Sequence, residues 1–301
     1  MARPEYREEP CCSALNRVRG MPFEWSLNPY MGCAHRCTFC YVRAFERRAD
    51  RPSDSRYGTA IRVKTNVAGV LRGELARRSW RREFVAIGAA TDPYQPAEGR
   101  YRLTRACLEV LAAAANPFGI ITRGPLVVRD RDVLAAASAR ARVVVHVSLP
   151  TLDEAVARAT EPGAPPPKQR LRAIRALADA GIRVGVAIAP VIPGVSDSPA
   201  MLAEVVRAAR DAGADKLWTG LLYLRPGTRE HFLDELGRVW PEQRVALERL
   251  YAGHAYLQRP RNEALSARVA TLARTAPVRA GERAPIEPEP PVLARQLGLG
   301  L

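Results

Sequence analysis

The sequence contains very little lysine and few aromatic residues. Lysine occurs only at Lys64, Lys168 and Lys216, so nearly all of the 46 basic residues are arginines. Phe, Trp and Tyr make up 6% of the 301 residues, too few to predict a platform of rings that stacks single-stranded nucleic acid. No run of about 20 apolar residues occurs, as a membrane-spanning helix requires. The sequence therefore predicts neither a membrane span nor a ring-lined groove for single strands.

An apolar targeting segment is also missing near the start of the sequence. Residues 1–9 are mostly charged and lack the apolar stretch of a signal peptide. We therefore expect a cytoplasmic protein, in which the six cysteines stay reduced and metal ligation is favoured over disulfides. Cys11 and Cys12 have no partner cysteine nearby, which favours an incidental pair over a second metal site or a vicinal disulfide.

The formal charge of +15 and the pI of about 10.2 have two interpretations. An Arg-rich composition places many guanidinium groups on solvated helix faces, with no function attached. Alternatively, the arginines attract a polyanion such as nucleic acid. The clusters that would form such a stripe are Arg43, Arg47, Arg48, Arg77, Arg78, Arg81, Arg82, Arg100, Arg102 and Arg105. The charge alone favours neither interpretation.

Short apolar runs alternate with helical patterns along most of the chain. The predicted strands are 24–28, 84–88, 119–122, 142–149, 183–189 and 216–224. The predicted helices are 103–115, 130–139, 167–180, 199–212, 229–236 and 241–252. About six strand–helix units imply an α/β fold with a parallel sheet and right-handed crossovers. Six units favour a partial (β/α)6 TIM-like barrel over a closed eight-fold one, with the active face at the C-terminal ends of the strands.

Three cysteines within eight residues follow the first predicted strand. Cys33, Cys37 and Cys40 have the spacing C-x3-C-x2-C, and their thiolates can hold three irons of a [4Fe–4S] cluster. The fourth iron then stays open, as in a catalytic rather than a structural metal site. The alternative is a structural zinc with His35 as fourth ligand, but zinc favours pairs at C-x2-C spacing. The loop is expected on the active face, because it follows a strand.

The cysteine loop and the aromatic Tyr41 after it resemble the radical S-adenosylmethionine (radical SAM) superfamily. Further segments, in the same order over about residues 15–252, resemble the branch related to spore photoproduct lyase, and most of all its uncharacterised bacterial relatives. These segments are Ser26–Cys33, Gly88–Glu98, Ile121–Gly124, Ser148, Glu161–Pro162 with Arg170, and Ala189–Gly194. The resemblance implies a core over residues 21–255, a short N-terminal arm at 1–20, and a C-terminal helix with a loosely ordered, Pro-rich tail at 256–301.

The resemblance implies two cofactors, a [4Fe–4S] cluster on the three cysteines and SAM on the open iron. It also implies a partner, a low-potential electron donor of the ferredoxin or flavodoxin type. The reduced cluster would cleave SAM, and the resulting 5′-deoxyadenosyl radical would abstract hydrogen from a substrate. The sequence does not identify this substrate, and nucleic acid is one candidate. The alternative function is a basic nucleic-acid-binding protein with a structural metal site and no SAM chemistry.

The resemblance also implies which strand ends receive SAM. Tyr41 is expected beside the adenine. Gly88 is expected to allow close approach of the backbone, and Thr91 and Asp92 to offer acceptors to the ammonium group. A second possibility for Asp92 and Glu98 is acid–base chemistry, with cofactor binding and turn capping favoured.

Later strand ends complete this set. Arg123 and Ser148 are expected to bind the carboxylate or the ribose, since an Arg fork matches a carboxylate. Arg170 is a further candidate for the carboxylate, and the turn at 189–191 is expected to pack against the adenine. His146, in the middle of a strand, is expected to be an interior residue.

One departure from the photoproduct lyase concerns the end of the second core strand. The lyase resembled here uses a further cysteine in that region as a hydrogen donor, whereas residues 88–91 read Gly-Ala-Ala-Thr. Cys107, on the following helix, is expected to be a small buried residue. The sequence therefore does not predict thymine-dimer repair by the same hydrogen relay.

Overall fold

A computed structural model describes residues 4–48 and 51–276. Its strands are β1 (Glu5–Glu9), β2 (Leu15–Arg17), β3 (Trp25–Leu27), β4 (Tyr30–Met31), β5 (Ala60–Lys64), β6 (Val85–Ile87), β7 (Phe118–Thr122), β8 (Val143–Ser148), β9 (Val184–Val191) and β10 (Lys216–Leu221). Its helices are α1 (Val42–Arg48), α2 (Val67–Leu75), α3 (Pro96–Tyr101), α4 (Leu103–Ala113), α5 (Arg131–Ser138), α6 (Glu154–Thr160), α7 (Pro167–Asp179), α8 (Pro199–Asp211), α9 (Arg229–Gly237), α10 (Pro241–Leu250) and α11 (Arg259–Thr275). No helix in these ranges is both long and apolar enough to cross a bilayer.

A seven-stranded sheet with the order β10-β9-β8-β7-β6-β3-β2 forms the centre of the molecule. The strands from β3 to β10 run parallel, and β2 pairs antiparallel with β3 at one edge. The six strands predicted from apolar runs are β3, β6, β7, β8, β9 and β10. The predicted α/β fold, a partial (β/α)6 barrel of the radical SAM type, is confirmed.

Alternate residues of the strands face the helices and the inside of the partial barrel. On β8, Val143, Val145 and Val147 are at most 2% exposed and belong to the main core. His146 faces the other way, because a Cβ added to Gly185 on β9 would lie 2.4 Å from its Nδ1. His146 therefore faces the inside of the partial barrel, where it is partly buried.

The edge strand β10 is covered by the C-terminal helix α11. Asn262 Oδ1 accepts a hydrogen bond from Leu221 N at 3.1 Å. One turn further along, the hydroxyl groups of Ser266 and Thr219 lie 3.2 Å apart. The predicted C-terminal helix is thus part of the folded molecule, and the predicted Pro-rich tail lies outside the described residues from 277 onward.

The N-terminal segment, predicted as an arm, contributes two strands. β1 pairs in parallel with β5 in a small sheet of order β1-β5-β4, and β2 joins the main sheet. The buried carboxylate of Glu74, on α2, accepts the backbone N–H of Leu15 at 2.8 Å and the hydroxyl of Ser13 at 2.9 Å. These contacts fix the segment against the core and place β4 and β5 beside the cysteine loop.

Candidate active site

The cysteine loop lies at the C-terminal edge of the parallel sheet, between the end of β3 and the start of α1. Cys33 and Cys37 are only 8% and 6% exposed, and Cys40 is partly buried. Two tight turns bring the cysteines together, with backbone hydrogen bonds of 3.2 Å from Arg36 N to Cys33 O and from Cys40 N to Cys37 O. The predicted ligands therefore share one compact loop on the active face.

Apolar and aromatic side chains surround the three thiols. Cys33 packs with Val42 and Tyr57, and the Tyr57 hydroxyl lies 3.5 Å from Cys40 Sγ. Burial raises the pKa of Cys37 to about 12. Burial, together with the nearby Asp92 carboxylate and the other two thiols, raises the pKa of Cys33 well above its usual range. Buried thiolates so placed need a positive partner.

A [4Fe–4S] cluster fits this donor set. Three soft thiolates in a dry, shared loop are the ligands that such clusters use, and each thiolate binds a different iron, so the three sulfurs need not converge on one point. Across residues 4–48 and 51–276, no three His, Cys, Asp or Glu side chains form a ligand set for a single metal ion. The cationic irons would also supply the charge that the buried thiolates require.

Residues after β6 hold the cysteine loop from one side. The side-chain amide of Gln95, which is fully buried, donates to Gly32 O at 3.1 Å and accepts from Ala34 N at 2.9 Å. The hydroxyl of Thr91 donates to the same carbonyl of Gly32 at 2.6 Å. The backbone on both sides of Cys33 is thereby fixed to the second strand of the predicted core.

Residues at the end of α6 hold the loop from the opposite side. Thr38 N donates to Thr160 O, and Gly163 N donates to His35 O, both at 2.9 Å. The approach is so close that a Cβ added to Gly163 would lie 2.3 Å from Ala34 O. The position therefore requires glycine for reasons of space.

Asp92 links the loop to two strand ends. Its Oδ1 accepts from Tyr94 N at 2.9 Å and from the Thr122 hydroxyl at 2.6 Å. Its Oδ2 accepts from Arg123 N at 2.7 Å and lies 3.2 Å from His35 Nδ1. Burial opposes ionisation, but His35 and the hydrogen bonds outweigh it and lower the pKa of Asp92 to about 2. Both oxygens of the predicted ammonium acceptor thus already bind protein donors.

Gly88 directly follows β6, and Tyr41 directly follows the last cysteine of the loop. Gly88 has φ +92°, and an added Cβ would lie 2.4 Å from Ile121 O, so packing between β6 and β7 requires this glycine. The hydroxyl of Tyr41 donates to Ala89 O. Both predicted SAM contacts therefore lie where the cysteine loop approaches the segment after β6.

Glu161 joins the two arginines that the sequence predicted as carboxylate binders. It is 2% exposed; its Oε1 accepts from Arg123 Nε, and its Oε2 lies 2.7 Å from Arg170 Nη2. Burial opposes ionisation here too, but the two guanidinium groups lower the pKa of Glu161. Together, the Glu161 carboxylate and the two guanidinium groups carry one net positive charge.

Arg123 and Arg170 differ in how far their side chains are exposed. Arg170 is 1% exposed and donates to Pro165 O at 2.8 Å and to Ser148 O at 3.1 Å. The side chain of Arg123 keeps 19% exposure, and its guanidinium lies 5.7 Å from the centre of the Phe39 ring. Arg123 therefore faces the cysteine loop, and Arg170 fixes the end of β8, where Ser148 is 3% exposed.

Two other residues considered from the sequence lie in the protein interior. Glu98 is fully buried, 2.5 Å from the Tyr30 hydroxyl and 2.6 Å from Arg129 Nη2. Cys107 is also fully buried and belongs to the main apolar core, as predicted. Neither side chain reaches the cysteine loop through a direct contact.

Sequence reasoning missed three polar residues of the site. Gln95 has no role in the sequence analysis, His35 enters it only as the fourth ligand of the alternative zinc site, and Glu161 only within a segment of the resemblance. A usable signal existed, because Gln95 and Glu161 lie inside segments of the resemblance and His35 lies between two of the three cysteines. What the sequence did not indicate is that all three are nearly or fully buried.

Comparisons with known proteins agree with this geometry. The model of the radical SAM superfamily matches residues 27–206. An uncharacterised protein of Mycobacterium tuberculosis is 40% identical over 287 residues, which cover 94% of this chain and 84% of the relative. An uncharacterised protein of the Acidianus two-tailed virus is 30% identical over 236 residues, 74% of each chain.

Solved structures of similar fold include spore photoproduct lyase complexed with dinucleoside spore photoproduct. It superposes with a TM-score of 0.68 at 14% identity, over 90% of this chain and 79% of the lyase. A mutant of the lyase with bound AdoMet and the same dinucleoside gives 0.64 at 15% identity, over 87% and 76% of the two chains. At these identities the likeness shows the fold.

Proposed function

Because this chain belongs to the radical SAM superfamily, whose enzymes use a [4Fe–4S] cluster and SAM, we propose that Cys33, Cys37 and Cys40 are the cluster ligands. When bound, the cluster and SAM supply one-electron cleavage of the C5′–S bond, which gives methionine and a 5′-deoxyadenosyl radical that abstracts hydrogen from a substrate. The protein's part is to orient both groups and exclude water. Family membership favours this enzyme over a binding protein with a structural metal.

One observation carries the proposal. Three buried thiols share a loop at the C-terminal edge of a parallel sheet, and backbone hydrogen bonds to Gln95, Thr160 and Gly163 clamp that loop on two sides. Strand C-terminal edges are where α/β folds place their ligands. A rigid loop there keeps the open iron in a fixed position relative to the other strand ends.

We propose that the SAM contacts divide into lining and supporting residues. Tyr41 and the backbone at Gly88 would line the ligand, because the Tyr41 hydroxyl meets the segment directly after Gly88. Arg123 would reach it because its guanidinium lies near Phe39 of the loop, and Ser148 is proposed from its place at the end of β8. Thr91, Asp92 and Arg170 were expected to touch SAM as well. Since their polar atoms already bind protein groups, we assign them to the walls of the site.

The reaction needs a reductant, and we propose a small low-potential donor of the ferredoxin or flavodoxin type. For the substrate, nucleic acid is the candidate class, supported by the formal charge of +15 and by the dinucleoside bound in the solved lyase of similar fold. Repair by the lyase's hydrogen relay is not proposed, since residues 88–91 contain no cysteine.

Anaerobic reconstitution with iron and sulfide tests the proposal. The wild-type protein should bind close to four irons per chain and, once reduced with dithionite, should release 5′-deoxyadenosine from SAM. Cys37→Ala should abolish that release, whereas the matched variant Cys107→Ala should retain it, because Cys107 lies in the apolar core. Equal release by wild type and Cys37→Ala would overturn the proposal.

A further inference from the structure

A second functional surface lies at the opposite end of the sheet from the cysteines. We propose that the arginines around the N-terminal ends of β3 and β6 form a binding face for the phosphate backbone of a nucleic acid duplex. This basic face consists of Arg17, Arg19, Arg77, Arg78, Arg81 and Arg82. The proposal does not depend on SAM chemistry, because none of these residues belongs to the proposed active site.

All six arginines of the basic face are exposed. Within residues 4–48 and 51–276, the side chains of Arg77, Arg78, Arg81 and Arg82 make no hydrogen bond and no ion pair. Arg17 has only a loose contact, 3.7 Å from Glu24. Six cations oppose two nearby carboxylates, Glu24 and Glu83, so the face keeps most of its positive charge.

Two tryptophans bring the parts of the basic face together. Arg17 on β2 pairs with Trp25 of β3, and the rings of Trp25 and Trp80 meet edge to face with centroids 5.5 Å apart. Arg81 directly follows Trp80. The β2–β3 hairpin and segment 77–82 therefore lie side by side, although they are about 60 residues apart in sequence.

Hydrogen bonds hold segment 77–82 in a defined shape. Trp80 Nε1 donates to Asn116 Oδ1 at 2.7 Å, and Asn116 Nδ2 donates to Glu83 O at 3.0 Å. Trp25 Nε1 donates to Glu83 Oε2 at 2.9 Å, so one of the two carboxylates already binds a protein donor. A fixed backbone presents the guanidinium groups without the ordering cost that a loose basic tail would pay on binding.

The direction of the strands separates this face from the active site. The cysteine loop follows β3, whereas segment 77–82 precedes β6, and β3 and β6 run parallel. The cysteine loop and segment 77–82 therefore lie at opposite ends of the parallel strands. A duplex bound at the basic face lies away from the active site. The basic face therefore holds the enzyme on the nucleic acid and does not place the reacting group in the active site.

Two other arginines that the sequence groups with this stripe are occupied in the fold. Arg43 is 2% exposed and donates to the carbonyls of Ser53 and Asp54. Arg105 pairs with the carboxylates of Asp130 and Asp132. Arg43 and Arg105 therefore do not extend the basic face, whereas Arg77, Arg78, Arg81 and Arg82 remain exposed.

The chemistry of the basic face favours duplex phosphates. Guanidinium forks bind phosphate oxygens in pairs, and duplexes carry a higher charge density than single strands. The two tryptophans pack edge to face against each other and are both partly buried, so neither offers a fully open ring for stacking bases. We therefore expect binding that is independent of sequence and weaker for single strands.

Fluorescence anisotropy with a labelled DNA duplex of about 24 base pairs, at increasing salt, tests this inference. Wild type should bind with a steep salt dependence. The variant R77Q/R78Q/R81Q/R82Q should lose about 100-fold in affinity at low salt and about 3 units of the slope of log K against log[salt]. Its release of 5′-deoxyadenosine from SAM should be unchanged.

A second variant, R131Q/R172Q/R249Q/R268Q, removes the same charge from exposed arginines elsewhere and should keep most of the affinity. Bound duplex should also protect Arg77–Arg82 from phenylglyoxal. Equal losses in the two variants, no protection of this segment, or tighter binding of a matched single strand would overturn the inference. So would a wild-type protein that fails to bind the duplex at low salt, whatever its activity with SAM.

Discussion

Asp92 Oδ2 lies 3.2 Å from His35 Nδ1, and both side chains are nearly buried, at 6% and 2% exposure. One residue belongs to the end of a strand and the other to the cysteine loop, between two proposed cluster ligands. Because Asp92 also accepts hydrogen bonds from the Thr122 hydroxyl and Arg123 N at the end of β7, this pair connects the loop to the rigid sheet.

Removing the Asp92 carboxylate should destabilise both the fold and the loop. Asp92→Ala leaves several buried donors without an acceptor, so we expect a loss of about 3 kcal/mol in the free energy of unfolding. Urea denaturation of the apoprotein measures it. The control Glu204→Ala, at an exposed position, should change stability by less than about 0.5 kcal/mol. Equal stabilities of the two variants would contradict the assignment.

We expect Gln95 to affect the geometry of the bound cluster more than the amount of cluster that binds. Gln95→Leu leaves Ala34 N without a side-chain partner and Gly32 O with the Thr91 hydroxyl alone, whereas Gln95→Glu keeps an acceptor for Ala34 N and loses the donor to Gly32 O. We expect a broadened electron paramagnetic resonance spectrum of the reduced cluster in Gln95→Leu and an intermediate one in Gln95→Glu. A wild-type spectrum in Gln95→Leu would show that the loop does not need this clamp.

Gly163 should tolerate no side chain, for reasons of space alone. The Cβ of Gly163→Ala would lie 2.3 Å from Ala34 O, so the loop must shift, and we expect fewer irons per chain after reconstitution. Gly69→Ala is the matched control, because nothing lies within 4 Å of its added Cβ and alanine favours helix α2 by about 1 kcal/mol. Iron analysis that gives the same content for both variants would contradict this account.

Glu161 should make stability depend on pH in the acid range. Its pKa is lowered in the folded protein, so its ionisation stabilises the fold above the unfolded value of about 4.3. That stabilisation is lost as the pH falls from there through the folded pKa. Urea denaturation at pH 7 and in this acid window should show a smaller pH dependence for Glu161→Gln than for wild type. The same pH dependence of stability in Glu161→Gln and in wild type would contradict this role of Glu161.

The main sheet was predictable because its strands are continuous apolar runs, as sheets covered on both sides require. The small sheet was not predicted, since β4 has two residues and β1 has no buried residue. β5 did carry a usable pattern, with Ile61 and Val63 buried between polar neighbours.

The cysteine ligands could be proposed from spacing alone, but the roles of their neighbours could not. Thr91 and Asp92 end a strand on the active face, which made both candidates for SAM. Whether such a polar atom faces a ligand or a backbone N–H or carbonyl group depends on contacts between residues about 30 to 60 positions apart. No local pattern reports those contacts, so the contribution of Gln95 and Glu161 emerged only from the folded chain.

The contacts of α11 have a consequence for any shortened form of the chain. Asn262 and Ser266 satisfy polar groups of β10, the last strand of the sheet, whose Trp218 is already 40% exposed. A protein ending before Arg259 would present a bare strand edge, and such edges pair with one another between molecules. Truncation there should therefore yield aggregates, so a soluble minimal enzyme has to extend through residue 275.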